Sequence, residues 1–145
     1  MFDHKTRMWC AAFLVGLLSG CGGGENRKAT FPVTGVVIVD GQPAEAVRIT
    51  LNDVKGMDPN QPTYSETFSD KDGKFSVSTY EKGDGVPEGE YTLTFYWGTI
   101  NPLNMQYGGE DKLKQKYTDP ATSKIKVKVE KGKPTDMGRI ELSTK

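Results

Sequence analysis

The sequence has few of the side chains that enzymes use for covalent and metal chemistry. Its 145 residues include one histidine, His4, and two cysteines, Cys10 and Cys21. Because all three lie near the start, the rest of the chain lacks Ser-His-Asp and Cys-His nucleophilic sites, His/Cys zinc sites and His- or Cys-ligated haem. We therefore expect no catalytic residues, no metal site and no cofactor, and a domain stabilised by an ordinary core without disulfides.

The first 20 residues have the composition of a secretory signal peptide. Lys5 and Arg7 precede an uncharged, largely apolar run over residues 9–18, and small residues follow that run. A membrane-spanning helix needs about 20 apolar residues, so this run is too short to be one. We predict that residues 1–20 are a cleaved signal peptide rather than a buried helix.

The end of this segment, Leu18-Ser19-Gly20-Cys21, resembles the lipobox of bacterial lipoproteins. The resemblance implies a diacylglyceryl group on the Cys21 sulfur, cleavage before Cys21 and acylation of the new amino group. Two or three acyl chains anchor a protein stably, since each buried CH₂ contributes about 0.8 kcal/mol. Residue 22 is Gly, where an Asp would resemble an inner-membrane retention signal. We expect a lipid-anchored cell-envelope protein whose membrane partner is reached through Cys21, with the outer membrane favoured.

Residues 21–30 are predicted to be the lipidated cysteine and a flexible linker. Three glycines begin the linker, and polar residues without apolar periodicity follow. From Cys21 onward the chain has 17 Lys or Arg and 18 Asp or Glu, a net charge of −1. Such a chain has no electrostatic footprint for nucleic acid and no general attraction to anionic lipids.

Residues 31–145 alternate between apolar and polar side chains in short segments, which predicts one all-β domain. Val47, Ile49 and Leu51, for example, alternate with polar residues. Seven strands are predicted, over residues 33–39, 47–52, 63–69, 75–79, 91–97, 124–129 and 139–142. Their number and spacing are typical of a β-sandwich. A short helix is predicted over residues 110–117, with Leu113 and Tyr117 packing against the sheet.

Four segments resemble the hallmarks of carboxypeptidase-regulatory-like, or transthyretin-like (prealbumin-like), domains. They are VTGVV (33–37) with DGQPA (40–44), DKDGKF (70–75), PEGEYTL (87–93), and YTDPATS (117–123), the last common in small planctomycete-type lipoproteins. The resemblance covers residues 31–145 and implies a seven-stranded Greek-key sandwich. It implies little about function, because the fold serves many roles. Transthyretin-like hydroxyisourate hydrolases use histidines, which a His-free domain does not have, and we expect no enzyme domain beside this one.

Four aromatic residues are candidate ligand or partner contacts: Tyr96, Trp97, Tyr107 and Tyr117. Exposed aromatic side chains stack on sugar rings or anchor a protein partner. Large aromatics are more often buried, so we expect Trp97 and Tyr117 to fill the core beneath the long irregular segment. Tyr96 lies on the opposite strand face from Trp97, and we expect it to be the exposed member.

Acidic residues offer two further alternatives. Asp70 and Asp72 could hold Ca²⁺, but the EF-hand pattern is incomplete and we expect a plain turn there. A pair among Glu88, Glu90, Glu110 and Asp111 could serve carboxylate-based hydrolysis. We expect a non-catalytic envelope protein with a structural or interaction role. The alternatives are a carbohydrate- or peptide-binding module using the Trp97–Tyr117 region, and a carboxylate-based hydrolase.

Overall fold

The computed structural model describes residues 26–145, and the regular elements within that range are all strands. They are β1 (Thr30–Phe31), β2 (Val33–Val39), β3 (Gln42–Pro43), β4 (Arg48–Asp53), β5 (Ser65–Phe68), β6 (Lys74–Ser76), β7 (Val86–Pro87), β8 (Gly89–Tyr96), β9 (Thr99–Ile100), β10 (Tyr107–Gly108), β11 (Lys126–Val129) and β12 (Thr135–Leu142). Seven of them are longer than two residues, and these seven form the body of the domain.

The seven longer strands form two facing sheets. One sheet is antiparallel and has the order β11-β8-β4-β5. In the other, β2 pairs with β12 in parallel on one side, and with β3 and β6 antiparallel on the other. Each sheet joins strands that are distant in the chain, as Greek-key connections do. The short strands form pairs at the margins, β1 with β7 and β9 with β10.

The core lies between the two sheets and is made by the alternation seen in the sequence. Its fully buried large side chains come from both sheets, from β7 and from connecting segments: Phe95, Ile49, Leu93, Leu113, Val33, Val37, Val47, Val77, Val86 and Val129. On β4, Ile49 and Leu51 are buried while Arg48 and Thr50 are half-buried. Burying such side chains contributes about 1.5–3 kcal/mol each, which is how this domain is stabilised without disulfides.

The predicted fold class, a seven-stranded all-β sandwich, is confirmed. The third predicted strand is shorter than expected, at Ser65–Phe68, and the fourth lies at Lys74–Ser76. The helix predicted over 110–117 is wrong, since the chain makes a series of turns there. The signal peptide and Cys21 lie outside the described residues. Within residues 26–145, no helix is long and apolar enough to span a membrane.

Candidate functional site

The two ends of the sandwich differ, and the pairing of β4 with β8 defines them. Asp53 pairs with Tyr91 at one end, and Arg48 pairs with Tyr96 at the other. The residues before β1 contact the first end, where the Lys28 ammonium lies 2.9 Å from a carboxylate oxygen of Asp58. We call this the tether end. The β9–β10 hairpin follows Tyr96 and extends from the other end, which we call the hairpin end.

Residues 26–28 of the predicted linker are attached to the domain. The Lys28 backbone N–H donates to the Tyr80 hydroxyl at 3.1 Å, and Arg27 forms an ion pair with Glu81 at 3.5 Å. The Gln61 side-chain amide donates to the Asn26 carbonyl at 3.3 Å. These contacts leave residues 22–25 between Cys21 and the docked segment, so the chain enters the domain at a fixed place on its tether end.

Tyr107 is the centre of an aromatic cluster at the hairpin end. Its ring lies edge-on to Phe68 at 4.9 Å and to Tyr96 at 5.9 Å between centroids. The guanidinium of Arg48 covers the Tyr96 ring at 4.9 Å and approaches the Tyr107 ring at 5.9 Å. Arg48 and the neighbouring rings cover Tyr96 and Tyr107, so these two rings are not an open stacking platform for a sugar.

The Tyr107 hydroxyl fastens the hairpin to the sandwich. It accepts the Gly98 N–H at 2.8 Å and donates to the Ala46 carbonyl at 2.7 Å, with the Tyr96 carbonyl at 3.0 Å. Burial raises the pKa of the Tyr107 phenol. Ala46 has a φ of 60°, an uncommon conformation for alanine that directs its carbonyl toward this hydroxyl. The hydroxyl therefore joins the hairpin to two parts of the sandwich, the end of β8 and the turn before β4.

Trp97 and Tyr117 pack against the core, as the sequence predicts. The Trp97 indole N–H donates to the Glu45 carbonyl at 3.0 Å, and the Lys112 ammonium lies 4.7 Å from the centre of the Trp97 ring. Tyr117 packs edge-on to Phe95 at 6.4 Å, and its hydroxyl accepts a backbone N–H. Tyr96 is half-buried rather than exposed, because Arg48 and Tyr107 cover it. A role of these four residues in ligand contact stays a prediction.

Asp111 explains why residues 110–117 do not form the predicted helix. Its buried carboxylate accepts three backbone N–H groups, from Trp97 at 2.9 Å, Leu113 at 3.0 Å and Gln115 at 2.9 Å. Lys114 and Gln115 have φ values of 56° and 59°, in the left-handed region. The side chain thus takes the backbone donors that a helix would use, and it binds the segment to β8. Both carboxylate oxygens have structural partners, which does not suit one half of a hydrolytic pair.

The β9–β10 hairpin and its flanks form a projection that we call the finger, residues 98–109. The finger contains no charged residue, and neither does Trp97 before it. Its tip exposes three apolar side chains, Leu103 at 94%, Met105 at 75% and Ile100 at 54%. Side-chain and backbone bonds hold the tip turn, including Met105 N–H to the Asn101 carbonyl at 2.8 Å. The tip is therefore an ordered apolar surface without charge.

Gly98 lets the finger approach the sandwich closely. A Cβ at this position would lie 2.6 Å from the Gly108 carbonyl oxygen and 2.8 Å from the Tyr96 ring. Real Cβ contacts are longer, so another residue here would displace the finger from Tyr96. Sequence reasoning did not identify the finger, although the uncharged run between Tyr96 and Glu110 was visible in a chain with 26% charged residues.

An open groove lies where β5 and β6 separate. Glu66 pairs with Ser78, and the Asp70 N–H bonds the Lys74 carbonyl at 2.8 Å, but the strands part between these points. The groove has a volume of about 960 Å³, and Phe68, 44% exposed, stands at its side. Its other lining residues include Thr34, Val36, Thr67, Phe75, Ser76 and Lys82. Asp70 also lines the groove, and the sequence singles it out only as a possible Ca²⁺ ligand.

The Asp70 carboxylate holds the turn over Asp70–Gly73. One carboxylate oxygen of Asp70 accepts the N–H groups of Asp72 at 2.9 Å and Lys74 at 3.0 Å. Gly73, with a φ of 75°, faces the Val37 carbonyl so closely that a Cβ would lie 2.4 Å from its oxygen. Across residues 26–145, no group of three or more His, Cys, Asp or Glu side chains is arranged to hold a metal ion.

Comparisons with known proteins find only distant structural similarity. No protein-family model matches the chain, and no curated protein matches it. The major pilin subunit of Bacillus cereus aligns with 79% of this chain at 13% identity and a TM-score of 0.45, and the chain spans 30% of that subunit. The dioxygenase domain of a dioxygenase carbohydrate-binding protein fusion from Streptomyces sp. SirexAA-E aligns with 83% of this chain and 82% of its own, at 13% identity and a TM-score of 0.38.

These identities and scores are too low to carry a function from either protein to this one. The pairing of the strands defines the class instead. The chain contains an all-β sandwich domain with a docked N-terminal segment at one end and an apolar finger at the other.

Proposed function

We propose that the chain is a lipid-anchored, non-catalytic protein of the bacterial cell envelope that acts through binding. Its domain would be a member of the transthyretin-like, carboxypeptidase-regulatory-like group, as the four sequence segments suggest. The observation that carries the proposal is the lipobox-like Cys21 followed within a few residues by a segment docked on the sandwich. A lipid on Cys21 would hold the tether end close to the bilayer, since residues 22–25 span at most about 14 Å.

Two observations favour binding over catalysis. The chain after Cys21 has no His or Cys, and the buried Asp111 is occupied by backbone donors. The net charge of −1 after Cys21 also argues against nucleic acid as a partner. Gly22 after the cysteine favours the outer membrane over the inner one. An envelope protein or glycan is the expected partner in this compartment.

The test of the anchor is the intact mass of the chain purified from native membranes. We expect a mature chain that begins at Cys21 and carries the added mass of a diacylglyceryl group and an acyl group. Cys21→Ala should remove that mass and release the protein from the membrane fraction. Cys10→Ala is the matched control, because Cys10 lies in the predicted signal peptide and its loss should leave the mature mass unchanged. An unmodified chain starting elsewhere would overturn the anchor.

A carbohydrate- or peptide-binding role is the second candidate, and the groove between β5 and β6 favours it. Its volume of about 960 Å³ suits a short glycan or peptide, and Phe68 and the surrounding hydroxyls supply stacking and hydrogen bonds. Titration of the labelled protein with peptidoglycan fragments, followed by NMR, tests this role. We expect Phe68→Ala to weaken binding and Tyr64→Ala, an exposed aromatic at the tether end, to leave it unchanged. Shifts spread evenly over the surface would speak against the groove.

A further inference from the structure

The finger has the features of a protein-binding element, and three observations on it are independent of one another. The first is the exposure of Ile100, Leu103 and Met105 on an ordered turn. The largest exposed apolar patch of a soluble domain typically covers a few hundred Å² and is often functional. The second is the absence of charge from residue 97 to residue 109. The third is the position of the finger at the end of the sandwich opposite the docked N-terminal segment.

The charge pattern defines the chemistry of the partner. The core of a protein interface is depleted of charged residues, and methionine is enriched there. A finger without charge fits a site that is itself apolar and uncharged, since any charge in the partner would be buried without a counter-charge. Binding through such a surface does not depend on counter-ions, so it should not respond to ionic strength.

The size of the tip argues against a second copy of the chain. Three side chains offer a few hundred Å² of apolar surface. A stable interface takes about 800 Å² from each partner, which two small tips placed against each other do not supply. A pocket that surrounds the finger would bury more surface on both sides. The area therefore favours insertion of the finger into a pocket over pairing of two tips. The groove of a second copy is not the uncharged pocket required, because Asp70, Lys74 and Lys82 are among its lining residues.

The polar atoms and the position of the tip argue against a lipid bilayer. The side-chain amides of Asn101, Asn104 and Gln106 surround Leu103 and Met105, and burying amide groups in hydrocarbon is unfavourable. The eight residues of β8 separate the finger from the tether end by about 27 Å. If the anchor is on Cys21, the finger points away from the membrane that holds the chain.

We infer that the finger inserts into an uncharged apolar pocket of a second envelope protein, with Leu103 and Met105 as its anchoring side chains. The inference rests on the proposed envelope location, and it names the partner class and the surface used. Such an interface is small, and the complex is accordingly one that forms and dissociates readily. The anchor would position the sandwich, and the finger would reach the partner in the space beyond it.

The experiment is photo-crosslinking of the full-length chain in native membranes, with the photoreactive residue at position 102. Pro102 is exposed beside Leu103, and its ring has no hydrogen-bonding group, so its replacement leaves the side-chain bonds of the tip and both anchoring side chains in place. Asn60, exposed at the tether end, is the matched control position. We expect one discrete protein adduct from position 102, absent from position 60 and equal in yield at low and high NaCl. Mass spectrometry should place the adduct in an apolar, uncharged segment of one identified protein.

Two methionine variants then test the role of the side chains. Met105→Asp should reduce the adduct by at least about tenfold, because a buried apolar side chain is replaced by a charge without a partner. Met57→Asp, at a site of similar exposure (64% against 75%) on the tether end, should leave the yield unchanged. Both side chains are exposed, so both variants should have the melting temperature of the parent chain. Thermal denaturation curves check this.

Other outcomes would overturn the inference. A phospholipid or glycan adduct, an adduct with the chain itself, a salt-sensitive adduct, or none at all would each contradict a protein pocket. The intact mass of the same sample keeps the two proposals apart. A lipidated chain without the adduct would leave the anchor standing and remove the finger's role. An unlipidated chain with the adduct would remove the anchor and leave the finger's role standing.

Discussion

The docked segment at the tether end and the segments at the hairpin end are attached to the sandwich by different kinds of contact. At the tether end, charged groups meet on the surface, as in the pair between Lys28 and Asp58. At the hairpin end, a buried carboxylate and a half-buried tyrosine hydroxyl bind backbone groups of several segments. Surface ion pairs contribute little to the free energy of unfolding. Breaking a buried hydrogen bond costs more, because the freed group then has neither its protein partner nor water to bond with. The comparison teaches that the docked segment is attached less firmly to the sandwich than the segments at the hairpin end are.

The largest effect should come from Asp111. Asp111→Ala leaves the N–H groups of Trp97, Leu113 and Gln115 without their acceptor, and each buried unsatisfied group costs about 1–3 kcal/mol. We expect the free energy of unfolding to fall by roughly 3–5 kcal/mol, since water can reach part of the opened site. Urea denaturation measures this free energy. Asp58→Ala is the counterpart at the tether end, and its loss should be much smaller. Equal losses at the two sites would break the comparison between the ends.

A smaller effect is expected from Gly98. Gly98→Ala places a Cβ against the Gly108 carbonyl and the Tyr96 ring, so the finger must shift, at a cost of about 1–3 kcal/mol. The same denaturation experiment measures this loss. Gly108→Ala, on the facing strand of the hairpin, is the control. Its Cβ would meet nothing within 4 Å, so a loss as large as that of Gly98→Ala would show that close packing is not the cause.

The strands could be predicted from the sequence because alternation is a local signal. In an extended chain the alternate residues Val47, Ile49 and Leu51 share one face, independently of the other strands. All three side chains are buried in the core, as this alternation predicts. The helix over 110–117 failed for a reason that is only partly local. Asp111 accepts the nearby N–H groups of Leu113 and Gln115, and it also accepts the N–H of Trp97, which is 14 residues away and invisible to a pattern of charges and apolar residues.

The candidate sites were less predictable than the strands. The groove depends on the separation of β5 from β6, which follows from the pairing of each strand with a different sheet. The exposure of Leu103 and Met105 depends on where the hairpin projects. Apolar residues in an irregular segment ordinarily indicate packing, so their exposure became known from the structure. The uncharged run around them is the signal that was available in the sequence.

The smallest effect concerns Tyr91, a buried tyrosine at the tether end whose hydroxyl donates to the Pro87 carbonyl at 2.8 Å. Burial raises the pKa of Tyr91 to about 12, with the nearby Asp53 carboxylate contributing. In the unfolded chain the phenol of Tyr91 loses its proton near pH 10. The stability that the raised pKa provides is therefore complete below about pH 10 and is lost as the pH rises toward 12.

Tyr91→Phe should lower the free energy of unfolding by about 1 kcal/mol at neutral pH, because the hydroxyl hydrogen bond is lost. Between pH 10 and 12 the variant should lose less stability than the parent, because it has no phenol at position 91 to ionise. Lysines titrate in the same range in both chains, so the difference between their denaturation curves isolates Tyr91. If the two curves stay parallel through this range, the phenol is accessible to water, and the tether end is looser than its buried tyrosine indicates.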